Sequence, residues 1–230
     1  MTIRSTKLWW MLPAIATQNR VDSLAGKAKP KIELLNAAEI QNVLFGPPEA
    51  PRQPLHPEIH RPIAAEDWSH LPRPRLRVAE AGFRPDLFRL SLDFVSTRLS
   101  QAFASAGASP DYLPVECTAC PAEVQDQGYR ALNVTVFANP LDRSRTTPAY
   151  FIDVESGAGP TFVWVPGMPH PNQPAPVICW RDDFDPPAPM FRVPGTNWTL
   201  VTEELAAAVT AAGFEDVGFF DLTDSSKPRS

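Results

Sequence analysis

The chain has 230 residues, of which 43% are hydrophobic and 20% charged, with a formal net charge of −5 at pH 7. That length can bury a sizeable core in one large domain or two small ones, and the hydrophobic share excludes a disordered chain. The acidic balance argues against nucleic acid, whose phosphates call for a basic face, and 27 prolines argue against long helices over much of the chain.

The first apolar patch, Leu8 to Ala16, is interrupted by Pro13, is too short to span a bilayer and lacks a convincing cleavage site. It predicts a first strand with Trp9 and Trp10 on opposite sides of a sheet. An export signal is the competing interpretation. Three cysteines make an odd count, which speaks against a disulfide framework and for a reducing, cytoplasmic setting. "IELLNAAEIQNVLF", residues 32 to 45, predicts a strand followed by a short helix. From Gly46 to Pro85 prolines recur so often that regular helix is not expected. Leu55, Ile59, Ile63, Trp68 and Leu71 suit an ordered, extended wrap on the core better than a linker. Residues 1–85 are thus expected to supply a strand, a helix and this wrap, and residues 86–230 an α+β core.

Two similar cassettes follow. Phe88-Arg89-Leu90 precedes "FVSTRLSQAFASAGASPDYLPVE", and Phe191-Arg192-Val193 precedes "LVTEELAAAVTAAGFEDVGFF". In the first, Ser96 suits an N-cap, Leu99, Ala102, Phe103 and Ala106 share one helical face, and Gly107 supplies the left-handed stop. In the second, Thr202 is the cap, Leu205, Ala208, Val209 and Ala212 form the face, and Gly213 ends it. Glu203 and Glu204 stand in the first turn, where the helix dipole favours negative charge. Each cassette is a capped helix packed on the strand that follows it, and together they are expected to brace one sheet. Their separation is too long for a stacked solenoid. Between them, "YRALNVTVFANPLDRSRT" predicts a strand through Val134 and Val136, and "AYFIDVE" and "TFVWVPG" a pair joined through Gly157 and Gly159. "PAPVICWRDDFDPPAPMFRV" predicts a buried strand at Val177 to Trp180, an acidic loop and a return strand. The fold class is α+β, with a mixed or antiparallel sheet or sheets and a few short helices.

Chemical motifs are sparse. Cys117 and Cys120 have redox spacing, but such a pair needs its thiolate at a helix N-terminus after a thioredoxin-like strand. Zinc would need four ligands, and no second Cys-x-x-Cys completes them. Small residues near a strand end describe the pair better. In His56-Pro57-Glu58-Ile59-His60 the glutamate is misplaced for a zinc protease, and Pro57 breaks the helix that would align the histidines. Asn133-Val134-Thr135 matches a glycosylation acceptor but lies in an expected strand. No nucleophile elbow, phosphate loop or dinucleotide fingerprint is present in the sequence. Neither a cofactor nor a metal is expected. The densest acidic patch is Asp182, Asp183 and Asp185, following Trp180 and Arg181. It is either a solvated turn or a protein-contact loop in which charge steers a basic partner and aromatics anchor it. A calcium loop would carry glycines between the aspartates.

The ordered segments resemble bacterial polymorphic-toxin immunity proteins, immunity protein family eleven. The carriers are the Trp9-Trp10-Met11-Leu12 opening, "VSTRLSQAFASAG…DYLPVE", "YRALNVTVFANPLDRSRT" with Asn133 and the Leu141-Asp142-Arg143 turn, and "MFRVPGTNWTLVTEELAAAVTAAGFEDVGFFDL". The resemblance covers about residues 86 to 222 well and the first 85 poorly. It implies a cytoplasmic or cell-envelope antidote that binds and neutralises a cognate protein toxin stoichiometrically, with no catalysis of its own; the acidic charge and the short apolar patch separately argue against nucleic-acid binding and membrane insertion. It assigns no contact residues; the acidic loop, Trp180, Arg181, Asp182, Asp183 and Asp185, is the candidate partner surface. An effector-docking adaptor or chaperone and a thiol redox enzyme using Cys117 and Cys120 are the alternatives.

Overall fold

The computed structural model describes residues 7–22, 31–45, 65–80, 82–118, 120–142, 144–146, 151–156, 159–164, 177–194 and 198–223. In chain order the elements are β1 (Leu8–Pro13), α1 (Ile15–Asp22), β2 (Ile32–Leu34), α2 (Ala37–Phe45), α3 (Ala65–His70), β3 (Arg75–Val78), β4 (Leu87–Arg89), β5 (Asp93–Ser96) and α4 (Thr97–Ser105). They continue as β6 (Asp111–Pro114), β7 (Glu116–Cys117), α5 (Ala122–Gln127), β8 (Tyr129–Asn133), β9 (Phe151–Ser156), β10 (Gly159–Trp164), β11 (Met190–Arg192), β12 (Thr199–Thr202), α6 (Glu203–Ala211) and β13 (Val217–Phe220). The fold is α+β. Two four-stranded antiparallel sheets, β4-β5-β8-β6 and β11-β12-β1-β13, are joined by a small mixed sheet, β2-β3-β7, and a β9-β10 hairpin.

The two larger sheets are copies of one plan. Counted back from the caps Ser96 and Thr202, Leu87 pairs with Val95 as Met190 pairs with Val201, and Arg89 pairs with Asp93 as Arg192 pairs with Thr199. The cap amides are bound alike, Ser96 N donating to Asp86 O and Thr202 N to Pro189 O, each at 2.9 Å. Both helices run nine residues, and the stops Gly107 and Gly213 have φ of 81° and 77°, values that only glycine adopts without strain. The expected single braced sheet is therefore two sheets, one per cassette.

Each sheet takes its third strand from outside its cassette. β8 lies between β5 and β6, with Tyr129 opposite Ser96; β1 lies between β12 and β13, with Leu8 opposite Thr202. In chain order the plan is strand, strand, strand, helix, strand, twice over, with the leading strands exchanged. β1 leads the first half and completes the sheet of the second, while β8 leads the second half and completes the sheet of the first. The chain beyond each exchanged strand returns to its own half. After β1, Gln18 brackets Arg89, its Oε1 accepting from Arg89 N at 2.9 Å and its Nε2 donating to Arg89 O at 2.8 Å. After β8, Val136 O accepts from Arg192 N and Ala138 N donates to Arg192 O, at 2.9 and 3.0 Å.

Alternation along these strands sorts side chains into layers. Met11, Leu87, Val95, Leu132, Met190 and Val201 face a middle core shared by both sheets, into which α4 sends Leu99 and Phe103 and α6 sends Leu205, Ala206 and Val209. Each such large side chain contributes about 1.5–3 kcal/mol on burial. The opposite face of the first sheet packs Phe88, Phe94 and Ala131 against β2-β3-β7, α2, and Trp68 and Leu71 of α3 and the turn after it. That of the second packs Leu8, Phe191, Leu200 and Trp198 under the segments around Leu141 and Trp180. As expected, Trp9 packs on the middle core and Trp10 on the outer one. A polar clasp ties the halves: Thr17 Oγ1 and Asp86 N both donate to the Asp216 carboxylate, at 2.5 and 3.2 Å.

Several expectations are corrected. The strand expected through Val134 and Val136 ends at Asn133, because β5 and β6 run out opposite Leu132 and Asn133; beyond it come isolated bridges, Phe137 to Arg192 in parallel and Leu141 to Trp180 antiparallel. Val177 to Trp180 is no regular strand, and Val177 is exposed. The bar on helix between Gly46 and Pro85 fails at α3, which fits the proline-free interval between Pro62 and Pro72. α1 was not expected at all. In α6 the buried stripe is Leu205, Ala206 and Val209, while Ala208 and Ala212 are exposed; in α4 Ser100 joins Leu99 and Phe103. Leu55, Ile59 and Ile63 of the proline-rich wrap lie outside the described residues, as do His56 and His60.

Candidate functional site

The acidic loop sits over the outer core of the second sheet. Trp180 is half-buried there and meets Trp198 edge-on, ring centroids 6.5 Å apart and planes at 84°. It is a footing for the loop rather than an exposed anchor. Arg181, Asp182, Asp183 and Asp185 are exposed, the Asp182 and Asp183 side chains by 76% and 85%. Phe184 turns back inward, against Phe191 at 5.6 Å, and the Arg181 guanidinium lies 5.4 Å from its ring. Alternating inward aromatics and outward charges follow from the sequence Trp-Arg-Asp-Asp-Phe-Asp, with Phe184 N donating to Arg181 O to close the turn.

A second loop holds the first in place. Pro140 O accepts from Arg181 N at 2.8 Å, and Leu141 forms an antiparallel bridge with Trp180. Thr146 Oγ1 donates to Cys179 O and accepts from Cys179 N. Asp142 organises this second loop: one carboxylate oxygen accepts from Ser144 N, Ser144 Oγ and Arg145 N, the other from Arg145 Nε at 2.5 Å. The Ser144 hydroxyl and then the Arg145 guanidinium hold this carboxyl well below the usual carboxylate range. Arg145 Nη2 reaches across to Trp180 O at 2.8 Å and to Asp182 Oδ1 at 3.0 Å. The loops enclose an open hollow of about 670 Å³, whose rim carries Asn139, Asp142, Arg145, Arg181, Asp182 and Asp183.

The structure thus brings Arg181, Asp182 and Asp183 to one rim, leaves Asp185 exposed further along, and turns Trp180 into the core. Asp142 and Arg145 were missed as members of the site. Their signal lay in Asp142-x-Ser144-Arg145, a side-chain-capped turn, although nothing local announced that it would meet a loop some 37 residues away. Among the described residues no three metal-binding side chains converge, the aspartates of this loop included.

Cys117 and Cys120 lie near one another beside β3, Cys120 buried with its thiol donating to Leu76 O at 3.5 Å. Burial, with the neighbouring Cys120, pushes the Cys117 thiol up to about 12. A thiolate nucleophile at neutral pH requires the opposite shift. Asn133 is buried at the end of β8.

No family model matches the chain, and no curated protein matches it. Among the described residues no helix is long and apolar enough to cross a membrane.

Proposed function

We propose that the chain is an immunity protein of the family-eleven kind, neutralising a cognate bacterial protein toxin by stoichiometric binding through the acidic loop. The observation that carries this reading is a projecting loop whose charges face solvent while its backbone is fixed from below by Trp180 and Phe184 and from the side by Arg145. By sequence the two loops carry four aspartates, 142, 182, 183 and 185, against three arginines, 143, 145 and 181, so they are acidic by one charge. Such a surface steers a basic partner, and a loop already ordered loses little entropy on docking; Pro186, Pro187 and Pro189 restrict it further. The order of the segments that resemble the family supports the same reading. Thiol redox catalysis is disfavoured by the raised Cys117 thiol.

The test is growth rescue and complex formation with the product of each gene adjacent to this chain's, a protein toxin being the expected partner. Wild type should protect and form a complex of fixed stoichiometry. Asp182→Lys with Asp183→Lys should fold normally, within about 0.5 kcal/mol of wild-type stability, but associate more slowly. The deficit should be largest at low salt, where charges are least screened. Superimposable association rates across ionic strength would move the interface elsewhere, and failure of wild type to bind any adjacent gene product would end the immunity reading.

A further inference from the structure

A rim built only to attract a cation would not carry an arginine in its middle, yet Arg145 stands there and is fully engaged. Its Nε donates to Asp142 Oδ2 at 2.5 Å, and its Nη2 donates to Trp180 O at 2.8 Å and to Asp182 Oδ1 at 3.0 Å. One planar fork thus ties the Asp142 turn to both the backbone and a side chain of the acidic loop. A guanidinium covers that span, whereas an ammonium is a single point of charge. The next residue adds a tie without charge. Thr146 Oγ1 donates to Cys179 O at 3.2 Å and accepts from Cys179 N at 3.1 Å, taking the place of a strand partner. The acidic loop is therefore held on both sides of Trp180, at Cys179 before it and at Arg181 and Asp182 after it. The Arg145 side chain is 45% exposed and that of Asp182 76%, and ion pairs so placed add little to stability. What the ties fix is direction. Asp182 Oδ1 is taken by Arg145, while Asp183 is only loosely paired, 4.0 Å from Arg181.

We propose that Arg145 and Thr146 are positioning residues for partner binding, which act on the partner through the acidic loop, Arg145 against the sign of its own charge. The inference rests on the acidic loop being the partner surface. Electrostatic steering alone predicts that removing the Arg145 cation helps, because the two loops go from one excess negative charge to two. Positioning predicts the reverse for the complex once formed. A loop free to swing has to be ordered at binding, and the complex then dissociates sooner. Steering acts on the association rate and positioning on the dissociation rate, so the two effects separate.

The test measures both rates for the full chain with the adjacent-gene product that wild type captures. Arg145→Gln should raise the dissociation rate about tenfold, while association at low salt stays the same or quickens. Its Tm should stay within about 2 °C of wild type. Thr146→Val changes no charge; it should raise the dissociation rate as well and leave the salt dependence of association alone. Arg145→Lys restores the charge without the fork, and its complex should dissociate as fast as that of Arg145→Gln. With no partner present, hydrogen exchange at the Arg181 and Phe184 amides should quicken in all three variants, while the middle core exchanges as in wild type. Wild-type dissociation in Arg145→Gln and Thr146→Val, or full recovery in Arg145→Lys, would overturn the inference and leave the immunity reading standing. Unchanged exchange at both amides would overturn it too. A wild type that binds no adjacent gene product would end the immunity reading and this inference with it, a separate result because it involves no variant.

Discussion

The first half closes its strand-helix junction with charge, and the second closes the same junction with a proline and a lone hydroxyl. Ser96 Oγ accepts from Leu99 N at 3.0 Å while donating to Asp86 at 2.6 Å, and Asp86 is held again by Arg98, whose guanidinium lies over the Phe214 ring. At the equivalent place the second half has Pro189, and Thr202 Oγ1 accepts from Leu205 N at a longer 3.4 Å. Strand register, helix length and the glycine stop are nonetheless the same. The shared plan therefore comes from alternation, caps and left-handed stops, and the ionic network is an addition to it. Buried ionic groups often add specificity more than stability.

The largest blow to this equivalence falls on the middle core. Leu205→Ala should cost about 2–5 kcal/mol and Phe103→Ala about 3–5 kcal/mol, because both are fully buried in a layer that both sheets line. Leu99→Ala, at the position equivalent to Leu205, should cost as much as Leu205→Ala in urea unfolding. If one of that pair is neutral, the halves do not share a core.

Next in size is the ion pair that only the first half has. Burial is the largest influence on Asp93 and works to raise its carboxyl, but Arg89 by charge and hydrogen bond, with Arg192 behind it, outweighs burial and holds the group below its ordinary value. A folded value below the unfolded one, about 3.9, gives stability that is complete above that pH and is lost as pH falls through the folded value. Asp93→Asn should cost about 2 kcal/mol at neutral pH. It should also flatten the decline of stability below about pH 4. Acid unfolding curves that keep the same slope in both proteins would remove Asp93 from the account.

The caps give the smallest and sharpest contrast. Ser96→Ala should cost about 2 kcal/mol, since it removes a cap and strips a donor from buried Asp86, whereas Thr202→Ala should cost about 1 kcal/mol or less. Equal costs in denaturant unfolding would mean that Asp86 is satisfied without Ser96.

The cassettes were legible because each is written locally: cap, apolar stripe, glycine, strand. The opposed faces of Trp9 and Trp10 were legible for the same reason, since period two needs no knowledge of the partner strand. What stayed hidden was long-range. Nothing in Leu8 to Pro13 names β12 and β13 as its neighbours, so the sequence alone does not separate two sheets from one. Val134 and Val136 alternate as a strand does, but alternation cannot say where partner strands stop. At the candidate site the acidic residues were visible as composition, while Arg145 was not, because its role exists only once Asp182 is brought to it. The inward turn of Trp180 was equally invisible, as an aromatic beside charges reads the same whether it faces a partner or the core.

The exchange of leading strands has a consequence for synthesis. β1 leaves the ribosome about 190 residues before β12, the strand beside which it must lie, and its place in the second sheet does not exist until α6 and β13 have followed. The first sheet, by contrast, can close as soon as β8 emerges. A nascent chain therefore carries Trp9, Trp10 and Met11 unpaired through most of translation, with an apolar strand that any open sheet edge could capture. Pairings so distant in sequence slow folding and expose intermediates to aggregation. β1 is sheltered only once β12 and β13 have been made.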